Sequence, residues 1–234
     1  MQELDSRIDQ LRHQLASLPE HEQISGLQST RAALVNQSRD AQILVDDLNR
    51  EQRKADADVE QVKARRERDR SRMDQGLVTN PKDLERMSHE LASLERRISS
   101  LEDVEIEVME KLEEAQGTLD STATELAATD EALAVATTAR DARAAEIHET
   151  LAQATVERAT AADGLPDDLM GLYDKLRTSK QGVAAAALHA RRCSGCQMTI
   201  NPSDLAVIAK APSDEVVRCE ECSRILVRTS DSGL

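Results

Sequence analysis

The chain has 234 residues, a net charge of −14, 32% charged residues, one Tyr and no Phe or Trp. The large side chains that dominate compact cores are missing, and Ala, Glu, Leu and Arg prevail; this excludes an ordinary globular core and favours long helices with a narrow buried seam. The acidity is uneven: residues 62–97 carry 10 basic and 7 acidic side chains, whereas 1–61 carry 7 and 12, 98–163 carry 4 and 16, and 164–234 carry 9 and 9. An acidic chain does not coat nucleic acid through its overall field, so any phosphate contact must come from a local patch.

Leu4, Ile8, Leu11, Leu15 and Leu18 recur at spacings of four and three, the seam of a coiled coil. Pro19 is poor inside a helix and favoured in its first turn, which predicts a short helix ending near Ser17 and a second starting near Glu20. The second carries Ile24, Leu27, Leu34, Ala41, Val45, Leu48, Ala55, Val59, Val62 and Met73 in strict heptads, with Arg31, Ser38, Gln52, Arg66 and Asp69 at the remaining seam positions. Gly76, Asn80 and Pro81 supply a turn near 75–82. The seam then restarts, and of sixteen positions from Leu84 to Ala136 only Glu105, Thr122 and Thr129 are not apolar. Such regularity argues against disorder. Two long helices joined by a short turn run antiparallel and bury each other's seam. Beyond Ala136 the stripe is expected to decay, with Arg140 and Arg143 on the seam. Gly164-Leu165-Pro166 ends the helix.

The expected fold class is therefore mainly α. Residues 1–163 form a long antiparallel coiled-coil hairpin, 164–181 a connecting helix with Leu169, Leu172, Tyr173 and Leu176 on one face, and 182–234 a small β zinc ribbon. Within the ribbon, Val183–Leu188 reads as a strand, Asn201-Pro202-Ser203-Asp204 as the start of a short helix, and Val216-Val217 and Ile225–Val227 as β-prone runs.

Cys193-Ser-Gly-Cys196 and Cys219-Glu-Glu-Cys222 are two CxxC pairs separated by 22 residues. Zinc favours a tetrahedron of thiolates, and each pair can curl its backbone around one metal, so the pattern predicts one structural Zn²⁺ per chain. A rubredoxin-like iron site has the same ligands and stays open on ligand type alone. Four cysteines leave no open coordination position, and no thioredoxin-like pattern surrounds either pair. The histidines form no constellation, and neither a nucleophile elbow nor a Gly-rich phosphate loop is present, so no enzyme is expected. No apolar run reaches the roughly 20 residues that span a bilayer. A cytoplasmic location without membrane contact is the expectation.

Together, the hairpin with its Thr79-Asn80-Pro81 turn, the Leu165-Pro166…Leu169…Leu172-Tyr173 segment and the Cys193…Cys222-Ser-Arg-Ile-Leu226 ending resemble the bacterial C4-type zinc-ribbon, coiled-coil protein family. Glu220-Glu221 stand where Pro is common in that family, and Ser223 where Gly is common. The resemblance implies a regulatory or adaptor protein whose ribbon is predicted to bind nucleic acid and whose arm binds protein.

Two sets of cations are candidate contacts for DNA, RNA or an acidic protein: Arg191, Arg192, Arg218, Arg224 and Arg228 in the ribbon, and Lys63, Arg65, Arg66, Arg68, Arg70 and Arg72 near the hairpin tip. With no aromatic to stack a base, the ribbon is left with phosphate contact. The competing expectation is a purely protein–protein adaptor, for example with the transcription apparatus, in which zinc only folds the ribbon. A monomeric hairpin and a dimer with paired arms satisfy the seam equally.

Overall fold

The computed structural model describes residues 1–234. Its elements are α1 (Gln2–Ala16), α2 (Pro19–Asp74), α3 (Pro81–Ala162), α4 (Asp167–Ser179), β1 (Ala185–His189), β2 (Arg192–Cys193), α5 (Pro202–Lys210) and β3 (Ile225–Arg228). The fold class is mainly α with a small C-terminal sheet, as the seam and the cysteine spacing predict. Two compact units divide the chain: Gln23–Ala136, and Met1–Glu22 together with Thr137–Leu234.

The Gln23–Ala136 unit is an antiparallel hairpin. Its turn follows from local chemistry. Gly76 takes φ +68, its N–H donates to the Met73 carbonyl, and the Leu77 N–H reaches back to Arg72, which closes α2 with a Schellman pattern. Asn80 Oδ1 then accepts the Lys82 N–H at 3.1 Å, and Pro81 opens α3, where its missing N–H costs nothing. Every predicted seam position in this unit is buried or half-buried except Arg31. Val45 and Leu48 pack on Ala115, Leu112 and Leu119.

Ion pairs bracket the seam. Lys63 meets Glu102 at 2.7 Å and Arg65 meets Glu90, the flank-to-flank pairing of antiparallel helices. The seam arginines Arg31 and Arg66 leave the interface sideways to Asp130 (2.6 Å) and Glu95 (3.0 Å). These arginines lie 35 residues apart on α2, and their acids lie 35 apart on α3. Each exposed pair contributes little stability. A polar group at a seam position nevertheless selects one register, because any heptad slip strands it.

In the other unit the stripe of α3 continues rather than decaying. Arg143 is exposed and pairs with Glu20, while Arg140, Ala144, Ile147, Leu151, Ala154 and Arg158 turn inward. The spacing from Ala136 becomes four and four before threes resume, a one-residue phase change of the kind that locally unwinds a heptad seam. Strict counting by sevens placed Arg143 inward for that reason. The shifted stripe receives α1, with Ile8 and Leu11 packed on Ile147, Leu151 and Ala154.

Beside it lies a polar knot. Asp5 is 1% exposed; it accepts the Tyr173 hydroxyl at 2.7 Å and faces Arg158 and Arg177, each at 3.2 Å. Arg177 also holds Asp9 at 2.7 Å. Gln2 extends the network: its Oε1 accepts the N–H groups of Ala184 (2.7 Å) and Ala185 (3.1 Å), and its Nε2 donates to the Gly182 carbonyl.

The sheet has order β2-β1-β3, with β1–β2 antiparallel and β1–β3 parallel. The Ala-rich run is a strand, as its setting between Gly182 and a CxxC predicts, and it is the central one. Ala184, Ala186 and Leu188 point inward. Val216-Val217, expected to be β, forms no strand. Only the Val217 carbonyl, which accepts the Leu226 N–H, and a bridge between Arg218 and Ile225 link that segment to β3.

Burial, followed by the hydrogen bond and negative charge of Asp5, raises the Tyr173 phenol above its ordinary value. The phenol therefore contributes stability that is complete below about pH 10 and is lost as pH rises through the higher native value. Tyr173 is the chain's single aromatic residue, so ultraviolet absorbance reads it alone. The native protein should show phenolate appearing only well above pH 10. Asp5→Ala, which leaves two guanidiniums without their buried counter-charge, should cost about 3–5 kcal/mol in denaturant unfolding. Phenolate appearing at the ordinary pH in the folded wild-type chain would contradict the knot.

Candidate metal centre and basic surfaces

The two CxxC segments fold into the same knuckle twice. The Gln197 N–H donates to the Cys193 carbonyl and the Ser223 N–H to the Cys219 carbonyl, both at 2.8 Å. Gln197 and Ser223 take φ +63 and +64. That left-handed turn explains why glycine suits position 223, and serine there carries strain of about 1–2 kcal/mol. The residue before each knuckle is arginine, and each reaches across it: Arg192 Nη2 donates to the Gln197 carbonyl at 2.9 Å, and Arg218 Nε to the Ser223 carbonyl at 2.9 Å. The repeated Arg-Cys-x-x-Cys pattern was present in the sequence as a signal for this brace.

The knuckles face each other. Cys193 and Cys222 sulfurs lie 3.8 Å apart, as do those of Cys196 and Cys219, and all four are within 4.8 Å of one another. A zinc–sulfur tetrahedron of about 2.3 Å radius has edges of about 3.8 Å, so the cluster fits one Zn²⁺ with four thiolates. Cys193, Cys219 and Cys222 are buried and Cys196 half-buried. Without metal, burial pushes the Cys219 thiol up to about 12. At Cys222 burial pushes the same way, but hydrogen bonds from Arg224 and from neighbouring thiols outweigh it and bring the thiol to about 7. With four sulfurs and no open position, the ion is a structural staple for a small core of Ala186, Leu188, Leu205, Ile208 and Leu226.

Gly195 has a packing reason. A Cβ there would sit 2.7 Å from Arg224 Cδ and 3.0 Å from Ala186 Cβ. The space lets Arg224 donate to the carbonyls of Val183 (2.8 Å) and Lys180 (3.1 Å). Sequence reasoning passed over Gly195, Gln2 and Asp5, whose partners are remote in the chain.

All five ribbon arginines proposed from the sequence donate to backbone carbonyls. Arg191 bonds Gly233 and is exposed, as are Arg192 and Arg218; Arg224 holds the segment before β1; Arg228 bonds Ile208, Ala211, Pro212 and Glu215. The six tip cations divide differently. Lys63, Arg65 and Arg66 are paired with acids of α3, whereas Arg68, Arg70 and Arg72 are exposed and form no ion pair. Arg72 lines a groove of about 530 Å³ at the turn with Arg65, Leu77, Arg86 and Met87.

Purified protein should carry about one zinc per chain with sulfur-only coordination. Cys219→Ser should unfold the ribbon while most helical circular dichroism remains, because α2 and α3 pair without the metal. Gly195→Ala should lower ribbon stability by about 1–3 kcal/mol through overpacking. Iron in the purified protein, or oxygen and nitrogen ligands in X-ray absorption, would overturn the zinc assignment.

No helix is long and apolar enough to cross a membrane. Residues 1–181 match the family model of the CT398-like coiled coil hairpin domain, and residues 192–226 match that of the C4-type zinc ribbon domain. An uncharacterized protein of Mycobacterium tuberculosis is 35% identical over 96% of this chain and 91% of its own length, and one of Mycobacterium leprae is 25% identical over 96% of each. A solved structure from Mycobacterium smegmatis shares 30% identity with a TM-score of 0.80, covering 97% of this chain and 94% of its own. CT398 from Chlamydia trachomatis, 18% identical over 97% of this chain and 94% of its own, shares the fold with a TM-score of 0.68. This chain belongs to the CT398-like coiled-coil hairpin family and carries a C4-type zinc ribbon behind its hairpin.

Proposed function

We propose that the protein is a non-catalytic cytoplasmic adaptor of a regulatory kind, and that its hairpin tip docks an acidic protein partner. The observation that carries this reading is the pairing pattern of the tip. Within residues 62–97, Arg68, Arg70, Arg72, Lys82, Arg96 and Arg97 take part in no ion pair, against only Glu67, Asp74 and Glu85 among the acids. Pairing therefore leaves the net charge of the tip at the +3 of its residue count, but concentrates it in six unpaired cations against three unpaired acids. It is flanked on both sides by acidic stretches of chain, which repel an acidic partner elsewhere and favour docking at the tip. A component of the transcription apparatus is one partner class that the family resemblance suggests.

The second reading, direct nucleic-acid binding by the ribbon, is supported by the exposure of Arg191, Arg192 and Arg218 around the metal. Their guanidiniums retain charge and spare donors. Each is nevertheless committed to a carbonyl of the ribbon, which limits its freedom to follow a phosphate backbone.

Capture of nuclease-treated cell proteins on the full-length chain separates the two readings. Changing Arg68, Arg70 and Arg72 to Glu should abolish nuclease-resistant capture, with zinc content and helicity unchanged. Capture that survives this reversal, but disappears with nuclease or with Arg191, Arg192 and Arg218 changed to Ala, would move recognition to the ribbon and to nucleic acid.

A further inference from the structure

Leu77 has no duty in the turn that exposes it. The turn depends on the left-handed conformation of Gly76 and on the backbone N–H groups of Gly76 and Leu77, which any side chain at position 77 would leave in place. In this kind of helix ending the residue after the glycine often packs on an apolar residue of the last helical turn. Here the residues at those positions are Ser71 and Arg72, and Leu77 stands 67% exposed. Its apolar surface continues onto Val78 and Met87, both half-buried, and the three side chains line the groove of about 530 Å³ at the turn. Met87 is a seam position of α3, so the groove is the end of the seam, left uncovered at the tip. A thioether there adapts to the shape of whatever enters.

The charges of the groove favour one sign of occupant. Its lining is neutral by count, with Arg65, Arg72 and Arg86 against Asp69, Asp83 and Glu90. All three acids are in ion pairs, with Arg65 or with Arg86. Arg72 is the lining charge without one, and Arg68, also unpaired, stands one helical turn before it on the same face of α2. An occupant that meets both features brings negative charge and an apolar side chain together. Nucleic acid brings the charge, but its bases are held by stacking on aromatic rings, and the hairpin has none.

We infer that the groove seats one large apolar side chain, Leu, Ile or Phe, from an acidic segment of the partner, between Leu77, Val78 and Met87, while carboxylates beside that side chain meet Arg68 and Arg72. The inference rests on the docking of an acidic protein at the tip and names what that protein must present. Charge draws acidic segments in from a distance, and the apolar seat selects among them.

Fluorescence anisotropy with the full-length chain at low ionic strength tests this. The probes are a short labelled peptide of Asp, Glu and Ser with a central Leu, the same peptide with Ser in place of that Leu, and a short oligothymidylate. The Leu peptide should bind about tenfold or more tightly than the Ser peptide, the gain expected from burying one large apolar side chain. Leu77→Ser should bring the two dissociation constants to within about twofold of each other, a coupling that weakened charge attraction alone cannot produce. Arg68→Glu combined with Arg72→Glu should raise the dissociation constant of the Leu peptide by about tenfold or more. Zinc content and far-ultraviolet circular dichroism on every variant register folding. Equal affinities for the two peptides, both lost on charge reversal, would overturn the apolar seat and leave the acidic-partner reading standing, as would a preference for Leu that survives Leu77→Ser. Absence of binding by either peptide up to about 1 mM chain would overturn both. Oligothymidylate binding more tightly than the Leu peptide, and lost on the same charge reversal, would assign the tip to nucleic acid and overturn the inference.

Discussion

Asp5 is a carboxylate with almost no access to water, and the arrangement of the unit around it follows from how that charge is satisfied. Removed from solvent, it must have opposite charge and donors on every side. They come from three places far apart in sequence: the Tyr173 hydroxyl and Arg177 on α4, and Arg158 near the end of α3. Satisfying one carboxylate thus fixes the relation of three helices. Gln2, one helical turn earlier, carries the constraint to the sheet by accepting the backbone N–H groups of Ala184 and Ala185. From the metal side, Arg224 holds the carbonyls of Lys180 and Val183. The segment entering β1 is held by α1 on one side and by the second zinc knuckle on the other. This accounts for the grouping of α1, the end of α3 and the ribbon in one compact unit.

The hairpin is held together on different terms. Without aromatic volume, its seam depends on repetition of medium and small side chains, and repetition alone permits slippage by whole heptads. Arg31–Asp130 and Arg66–Glu95 counter this. Their matched 35-residue separations satisfy both arginines in a single register, and a heptad slip would break both pairs at once. Arg66 bears the larger local penalty, since its Nε is buried without a partner. The same economy of side-chain volume leaves a groove of about 600 Å³ beside Ala41 and Ala115.

Legibility in the sequence followed the range of the physics. The heptad seam was readable position by position because each residue's fate depends on its phase, and the turn at Gly76–Pro81 because its conformations demand those residue types. Zinc was readable because four thiols at CxxC spacing have few other uses. The one-residue phase change after Ala136 was missed because Ala and Thr carry too little hydropathy contrast to show it. Asp5 was passed over because an acid between Leu4 and Ile8 looks like a solvated helix face until Arg158 and Tyr173 arrive from more than 150 residues away. The parallel pairing of β1 with β3 likewise depends on which strand the metal brings alongside, a choice that local propensity does not encode.

The arginines show why counting charge is not the same as locating it. Beside the four cysteines, each of five guanidiniums has a backbone carbonyl to serve. A ribbon with so few buried apolar side chains cannot cover its own turns with secondary structure, and its backbone acceptors need donors. Arginine supplies several from one side chain, as Arg228 does at the end of α5. These cations are fixed by the demands of folding a minimal core. Along the tip the backbone is helical and already satisfied, so Arg68, Arg70 and Arg72 have no structural duty of that kind. The cations left without an ion pair or a carbonyl to serve therefore include Arg68, Arg70 and Arg72, at the turn end of the hairpin.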